Sequence, residues 1–384
     1  MNGRALVARL KEEAATLGLG TLGVAPIAPS DHADALRRWL DRGHAATMEW
    51  MERTARDSVD LTRRFAWAKS ALVAAVPYLS YAGDRTAQPG VVPHLARYAL
   101  GPDYHVTLRT RLTALAALLA REAPGATSRV YVDTGPILER ELAARAGLGW
   151  FGKSTNLILR GGDSYILLGE ILTSVELPAD EPAPDRCGTC TACIDECPTG
   201  AILEPYLVDS SRCISYLTIE HRGRLPRGSE RDLGDWIFGC DVCQEVCPWN
   251  RKTGPAGDPA FDADRRLEEE SLAAIARMDE TEFTARFAGT AIARARRQGM
   301  VRNALVVAAN TGDETALEAA GDRLSDADPV VRSTAAHALG RSGGARDRRR
   351  LDRARSRETD PKVAADLELA LEERPFDGPR EPVL

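Results

Sequence analysis

Residues 187–198 read Cys187-Gly-Thr-Cys190-Thr-Ala-Cys193-Ile-Asp-Glu-Cys197-Pro198. All 8 cysteines of the 384-residue chain lie between Cys187 and Cys247. A disulfide framework would be unusual in an intracellular chain of this size, and thiols crowded at such short spacings point to metal. The organisation of the chain follows from this stretch: a metal-binding module set between two cysteine-free regions.

The spacing C-x2-C-x2-C-x3-C-P is that of bacterial ferredoxins, whose thiolates hold 4Fe–4S cubanes. A second set, Cys213 and then Cys240-Asp-Val-Cys243-Gln-Glu-Val-Cys247-Pro248, repeats the terminal C-x2-C-x3-C-P but draws its first cysteine from far upstream. The pseudo-symmetric crossover assigns Cys187, Cys190, Cys193 and Cys247 to one cluster and Cys197, Cys213, Cys240 and Cys243 to the other, leaving no thiol over. Paired C-x2-C units also suit tetrahedral zinc, but zinc does not explain a Cys-Pro ending that occurs twice. Two adjacent clusters make an electron relay and leave its recipient to the rest of the chain.

Toward the N-terminus, residues 1–178 alternate helix and strand signals. Leu22–Pro26, Ala71–Val76 and Val130–Val132 read as short buried strands, and Thr107–Arg121 and Ile137–Ala146 as helices. The run from Asn156 to Leu159, the Gly161-Gly162-Asp163-Ser164 turn and the run from Tyr165 to Leu168 read as a β-hairpin. Residues 178–185, rich in proline and acid, read as a linker. The domain expectation is 1–178, then a two-cluster module at 179–255, then 256–384.

The last region is helical and repetitive. Val301-Arg302-Asn303-Ala304 recurs as Val331-Arg332-Ser333-Thr334, with a looser copy at Lys362-Val363-Ala364-Ala365. Glycine-bearing turns at Thr311-Gly312-Asp313 and Ser342-Gly343-Gly344 fall at matching positions between them. That period suggests HEAT-like helical pairs, although a plain helical bundle would also accommodate it. Stacked repeats present an extended face suited to a macromolecule.

Composition (44% hydrophobic, 28% charged) describes a folded protein, neither fibrous nor disordered. No apolar run is long enough for a bilayer span, and residues 1–20 lack the unbroken apolar core of a secretion signal, so a cytoplasmic protein with no membrane partner is expected. Net charge is −6, which gives no bulk reason to expect nucleic acid. The distribution differs: residues 288–357 hold 14 arginines against 8 acids, allowing a basic face on an acidic protein.

Three further motifs bear on chemistry. Gly147-Leu-Gly149-Trp-Phe-Gly152-Lys153-Ser154 fits both G-x-G-x-x-G and G-x-x-x-x-G-K-S. A helical pattern precedes it and a strand pattern follows, the reverse of a nucleotide loop, so neither reading holds. Asp103-Tyr104-His105 begins like a cobalt-binding D-x-H-x-x-G, but Leu108 stands where glycine is required; His105 reads as a hydrogen-bonded pocket or core residue. Asp133 ends a strand, where ligand sites of α/β domains gather. Desolvation beside Val132 and Pro136 would raise its pKa and suit a general acid, while a helix N-cap for the following segment is the competing role.

Together these pieces resemble the epoxyqueuosine reductases, the cobalamin and iron–sulfur enzymes that complete queuosine in tRNA. The resemblance is carried by Arg97-Tyr98-Ala-Leu-Gly101-Pro-Asp103-Tyr104-His105, Val132-Asp133-Thr-Gly-Pro136-Ile-Leu-Glu139-Arg140, Ala146–Asn156, and Cys213–Glu220 with the asymmetric second cysteine set. It covers nearly the whole chain. It implies a multidomain α+β fold: a nitroreductase-like cobalamin-binding domain, a bacterial ferredoxin-like domain with two 4Fe–4S clusters, and C-terminal HEAT-like α-helical repeats. It also implies that Asp133 is the proton donor and that Arg56, Tyr98, Ser154 and Asn156 contact the corrin.

Opening an epoxide reductively needs electrons at carbon and a proton on the departing oxygen, so low-potential clusters and a carboxyl group form a coherent set. The substrate implied is the anticodon loop of a tRNA, whose unstacked bases are accessible to a pocket. Arg222, Arg224, Arg294, Arg296 and Arg297 are the candidates for phosphate contacts. An external low-potential donor and a monomeric state complete the expectation. Two other classes compete: a relative of the reductive dehalogenases, and a non-catalytic electron-transfer or RNA-binding adaptor.

Overall fold

The computed structural model describes residues 2–80, 94–268 and 270–372. Its first region contains helices α1 (Gly3–Thr16), α2 (Ala33–Asp41), α3 (Glu49–Ser58), α4 (Tyr104–Glu122) and α5 (Glu139–Arg145). Its strands are β1 (Thr21–Pro26), β2 (Ser70–Pro77), β3 (His94–Leu95), β4 (Ser128–Tyr131), β5 (Gly149–Phe151), β6 (Leu157–Leu159) and β7 (Ile166–Thr173). A four-stranded sheet runs in the order β1-β2-β7-β4 with antiparallel neighbours throughout.

Both faces of this sheet are covered, which is why β2 reads as an unbroken apolar run. Leu72, Ala74 and Val76 point to one side, where Leu108, Leu112, Leu115 and Leu119 of α4 and Leu6, Val7 and Leu10 of α1 pack on them. Ala71, Val73 and Ala75 point to the other, toward Leu142 and Ala143 of α5. The period of two along the strand meets the i, i+4, i+7 stripe of α4. Asp103 caps α4 by accepting the His105 amide proton.

The expected hairpin is corrected. The strand after Asn156 pairs with β5, in the register Gly149↔Leu159 to Phe151↔Leu157, while β7 inserts between β2 and β4. The Gly161–Gly162 turn is present, yet it redirects the chain between two sheets. Gly149 itself lies in β5, so close to its partner that a Cβ would fall 1.9 Å from the Ile158 carbonyl oxygen. The glycine motif is therefore a strand crossing, as the rejected nucleotide reading requires. Residues 178–185 are without regular structure, but they are anchored: Asp180 accepts from the Val24 amide and from Lys11 Nζ at 2.9 and 2.7 Å.

The cysteine-bearing region contributes α6 (Ala192–Asp195), α7 (Ile214–Ile219), α8 (Val242–Glu245), β8 (Ile202–Glu204), β9 (Leu207–Val208) and β10 (Trp236–Phe238). The short helices α6 and α8 carry Cys193 and Cys243 and pack together. Helices α9 (Arg265–Glu268), α10 (Leu272–Arg277), α11 (Glu280–Phe287), α12 (Arg296–Thr311), α13 (Glu314–Arg323), α14 (Pro329–Ser342), α15 (Ala345–Arg355) and α16 (Pro361–Glu372) form the tail. Helices α12, α14 and α16 pack in succession, and the left-handed residues Gly312 and Gly343 end the first two. Among the described residues no helix is long and apolar enough to cross a membrane.

Candidate functional site

Several of the eight thiols feel one another electrostatically. Cys193 feels Cys247, Cys187 and Cys190; Cys213 feels Cys197, and Cys240 feels Cys243 and Cys213. Cys243 feels Cys213 of its expected quartet and also Cys193 of the other, so these influences alone do not divide the ligands. Burial, and then Cys247, Cys187 and Cys190, push the Cys193 thiol up to about 11. Four such thiols ionise together only around a compensating cationic centre, which is the chemistry of a cluster ligand set. Among the described residues, no three His, Cys, Asp or Glu side chains are gathered tightly enough to clasp a single ion. Lys153 Nζ donates to the carbonyls of Gly188 and Cys190 at 2.7 and 2.8 Å, fixing the first loop. Asn156 Nδ2 lies 3.5 Å from Cys243 Sγ.

Asp133 sits just beyond β4, in a left-handed conformation (φ 54°) that an aspartate tolerates but does not favour. Its carboxylate is exposed on one side and accepts from Tyr104 Oη at 3.2 Å and His105 Nε2 at 3.3 Å. The other imidazole nitrogen, Nδ1, lies 2.7 Å from Asp103 Oδ1. Tyr104 stacks on His105 at 4.1 Å, and Tyr98 meets Tyr104 edge-on at 6.1 Å. Asp133 caps no helix: Leu138 occupies the N-cap of α5.

The electrostatics correct the expected pKa. The His105 hydrogen bond outweighs desolvation and holds Asp133 below the ordinary carboxylate range, whereas Asp133 and Asp103 raise His105. The two shifts together favour the imidazole over the carboxylate as the holder of the pair's proton, with Asp133 its exposed terminus. Both His105 nitrogens face carboxylates, leaving none for a metal.

Comparison with known proteins places this geometry. A family model described as 4Fe-4S double cluster binding domain matches residues 186–250, and one described as Epoxyqueuosine reductase QueG, DUF1730 matches residues 59–134. The chain is 40% identical over 344 residues to the epoxyqueuosine reductase of Xanthomonas campestris pv. campestris, covering 88% of this chain and 96% of that one. The chain belongs to the epoxyqueuosine reductase family.

Two solved structures of that family are similar over 97% of this chain and 99% of theirs, each at 28% identity. One is an epoxyqueuosine reductase with an epoxyqueuosine-modified tRNA-Tyr stem loop (TM-score 0.90). The other is the epoxyqueuosine reductase from Bacillus subtilis with its catalytic aspartate loop swung out of the active site (TM-score 0.89). Like its relatives, this family member is an oxidoreductase with iron–sulfur clusters.

Of the other residues singled out in the sequence, Tyr98 lies beside Tyr104, and Ser154 and Asn156 share the turn between β5 and β6. Arg56 is exposed on α3. The arginines divide. Arg297 bonds Asp326 and the Met278 carbonyl, and Arg224 bonds Asp366. Arg222 donates to the Ala295 carbonyl and Arg294 forms a two-pronged pair with Glu220 at 2.8 Å. Arg296 is exposed, at φ 61°. A cavity of about 540 Å³ between the Arg224–Glu230 segment and α14–α16 stands apart from Asp133.

The sequence reading gave no role to Glu139 and did not mention Glu170. Glu139 Oε1 accepts the Asp133 amide proton at 2.6 Å, and Glu170 lies fully buried on β7 beside it. A single acid inside the apolar run from Ile166 to Thr173 was the available signal for Glu170.

Proposed function

We propose that this chain removes the epoxide oxygen of epoxyqueuosine at the wobble position of tRNA, leaving queuosine. The carrying observation is an exposed carboxylate hydrogen-bonded to an imidazole, in a chain that also sets Asn156 of the β5–β6 turn against the cysteine Cys243. The overall change consumes two electrons and two protons: both C–O bonds break, a C=C bond forms, and the oxygen leaves as water.

Cobalamin is the cofactor this reading assigns to the Asp133 site. Ser154, Asn156, Tyr98 and Arg56 offer hydroxyl, carboxamide, phenol and guanidinium groups suited to the amide rim of a corrin, and the aromatic wall of Tyr104 and His105 is suited to a flat partner. When bound, it would supply a strongly reducing metal centre at the epoxide carbon. His105 then passes its proton through Asp133 to the departing oxygen, and Asp103 keeps the imidazole oriented. We take Asp133 as the counterpart of the mobile catalytic aspartate of the Bacillus subtilis relative.

Electrons would enter through Cys187, Cys190, Cys193 and Cys247, where Cys190 is exposed, and leave through Cys197, Cys213, Cys240 and Cys243, where Asn156 meets Cys243. The tRNA would lie against the exposed Arg296 and Arg294, the latter close enough to feel the Asp133 charge. The domain boundaries proposed are 1–178, 179–255 and 256–384, with the tail helices as HEAT-like repeats. Residues 373–384 of that tail lie outside the described residues.

The test is direct. Epoxyqueuosine-bearing tRNA, incubated with cluster-loaded protein, cobalamin and a strong reductant, then digested for nucleoside mass spectrometry, is expected to lose one oxygen atom from that nucleoside. An unaltered nucleoside profile refutes the reading.

A further inference from the structure

Behind Asp133 lies a buried acid pair that proton transfer to substrate does not use. The segment Thr134-Gly135-Pro136-Ile137-Leu138 leaves β4 and returns into α5; Thr134 donates back to the Val132 carbonyl, and the bond that spans the loop's two ends is the Asp133 amide donating to Glu139 Oε1 at 2.6 Å. Gly135 lies so near the Tyr131 ring that a Cβ would come within 2.5 Å of Cδ1, so the segment is pressed against the sheet. The left-handed backbone at Asp133 (φ 54°) is strained for a residue with a Cβ, and the loop's bonds must hold it.

Glu139 is itself backed by Glu170, which β7 places between Val73 and Tyr131. Glu170 is fully buried, no other group among the described residues bonds either of its oxygens, and its carboxyl faces that of Glu139. An isolated buried carboxylate is expensive, so an acid retained there implies a partner.

We propose that Glu139, backed by Glu170, is the latch of the Asp133 loop: a positioning residue whose carboxylate accepts the Asp133 amide proton and holds the aspartate in its proton-delivering conformation. The proposal deepens the reading of Asp133 as proton donor and rests on it.

The ionisable groups facing Glu139 are Asp133 from the loop, Arg140 from its own helix, Tyr104 from α4 and Glu170 from β7. Those facing Glu170 are Glu139 and Asp133. Burial, then Asp133, pushes Glu139 up to about 7, and burial, then Glu139, holds Glu170 well above the ordinary carboxylate range. Glu170 is thus a protonated donor facing Glu139. Above about pH 7 Glu139 carries its charge and makes the stronger, charge-assisted bond; below it, a neutral carboxyl oxygen accepts more weakly.

The experiment is hydrogen exchange of the full-length, cluster-loaded protein across residues 132–138, with turnover measured beside it. Glu139→Ala is expected to lower protection of this segment at least tenfold while β2 and β7 keep theirs. It should also lower kcat by roughly 10–100-fold with tRNA affinity unchanged. Glu139→Gln keeps an acceptor oxygen: it should retain most turnover and lose the rise in protection between pH 6 and 8 that the parent shows. Unchanged loop protection in Glu139→Ala overturns the proposal. So does a Glu139→Gln variant that keeps the parent's pH response. The exchange readout needs no substrate, so it can fail independently of the proposed reaction.

Discussion

Arg302, on α12, is almost wholly buried and spends its guanidinium on the carbonyls of Leu217, His221 and Gly223 and on Asn303 Oδ1, at 2.6–3.0 Å. Glu170, on β7, is equally buried and has no such set of partners. Asn303 completes the first arrangement by donating to Thr218 and Ile237. At the junction of tail and cysteine-bearing region, then, every donor has an acceptor and the charge serves rigidity; burial draws Arg302 only down to about 10, leaving it charged. Behind Asp133 the accounts are left open, and groups there titrate near neutrality. The contrast separates a structural buried charge from a functional one by the completeness of its hydrogen bonds.

The largest effect expected is at the reacting end. Asp133→Asn should lower turnover by about 10²–10⁴-fold while both cysteine quartets keep their iron and sulfide, measured by single-turnover conversion beside metal analysis. Full activity would remove Asp133 from the chemistry. Next comes the closed junction. Arg302→Met leaves the Leu217, His221 and Gly223 carbonyls without a donor, and should cost about 3–5 kcal/mol in denaturant unfolding. A loss under about 1 kcal/mol would erase the distinction drawn here.

The smallest effect has the opposite sign. Glu170 holds in the folded state a proton that it releases at its ordinary pKa when unfolded, so stability drains away as pH rises above the ordinary carboxylate range. Glu170→Gln removes that drain. At pH 8 it should match or exceed the parent's stability, by on the order of 1 kcal/mol, and the advantage should vanish toward pH 4. Destabilisation at pH 8 would show that Glu170 is satisfied by contacts of its own.

How far the sequence discloses this molecule depends on the range of each interaction. The cysteine spacings and the strand-end position of Asp133 are local, and they were legible. So were the central strands and α4, whose apolar periods are strong. The pairing of β6 with β5 was not, because alternation marks a strand without naming its partner. The His105–Asp133 contact joins residues 28 apart in sequence, and it reversed the expected pKa. Nor can a sequence tell a solvated arginine from one committed to Asp326 or Asp366, which is how Arg297 and Arg224 differ from Arg296.

The proton's residence on His105 is the claim from which the mechanism derives, and the pH dependence of single-turnover epoxyqueuosine conversion tests it. His105 is raised, so its proton is fully present below the ordinary imidazole value near 6.5 and is lost as pH climbs through the raised one. Wild type should hold its rate through neutrality and decline on the alkaline side. His105→Gln should instead be slow at neutral pH and recover only as pH falls toward the carboxylate range, where Asp133 carries its own proton. An identical alkaline limb in the two proteins would contradict the account.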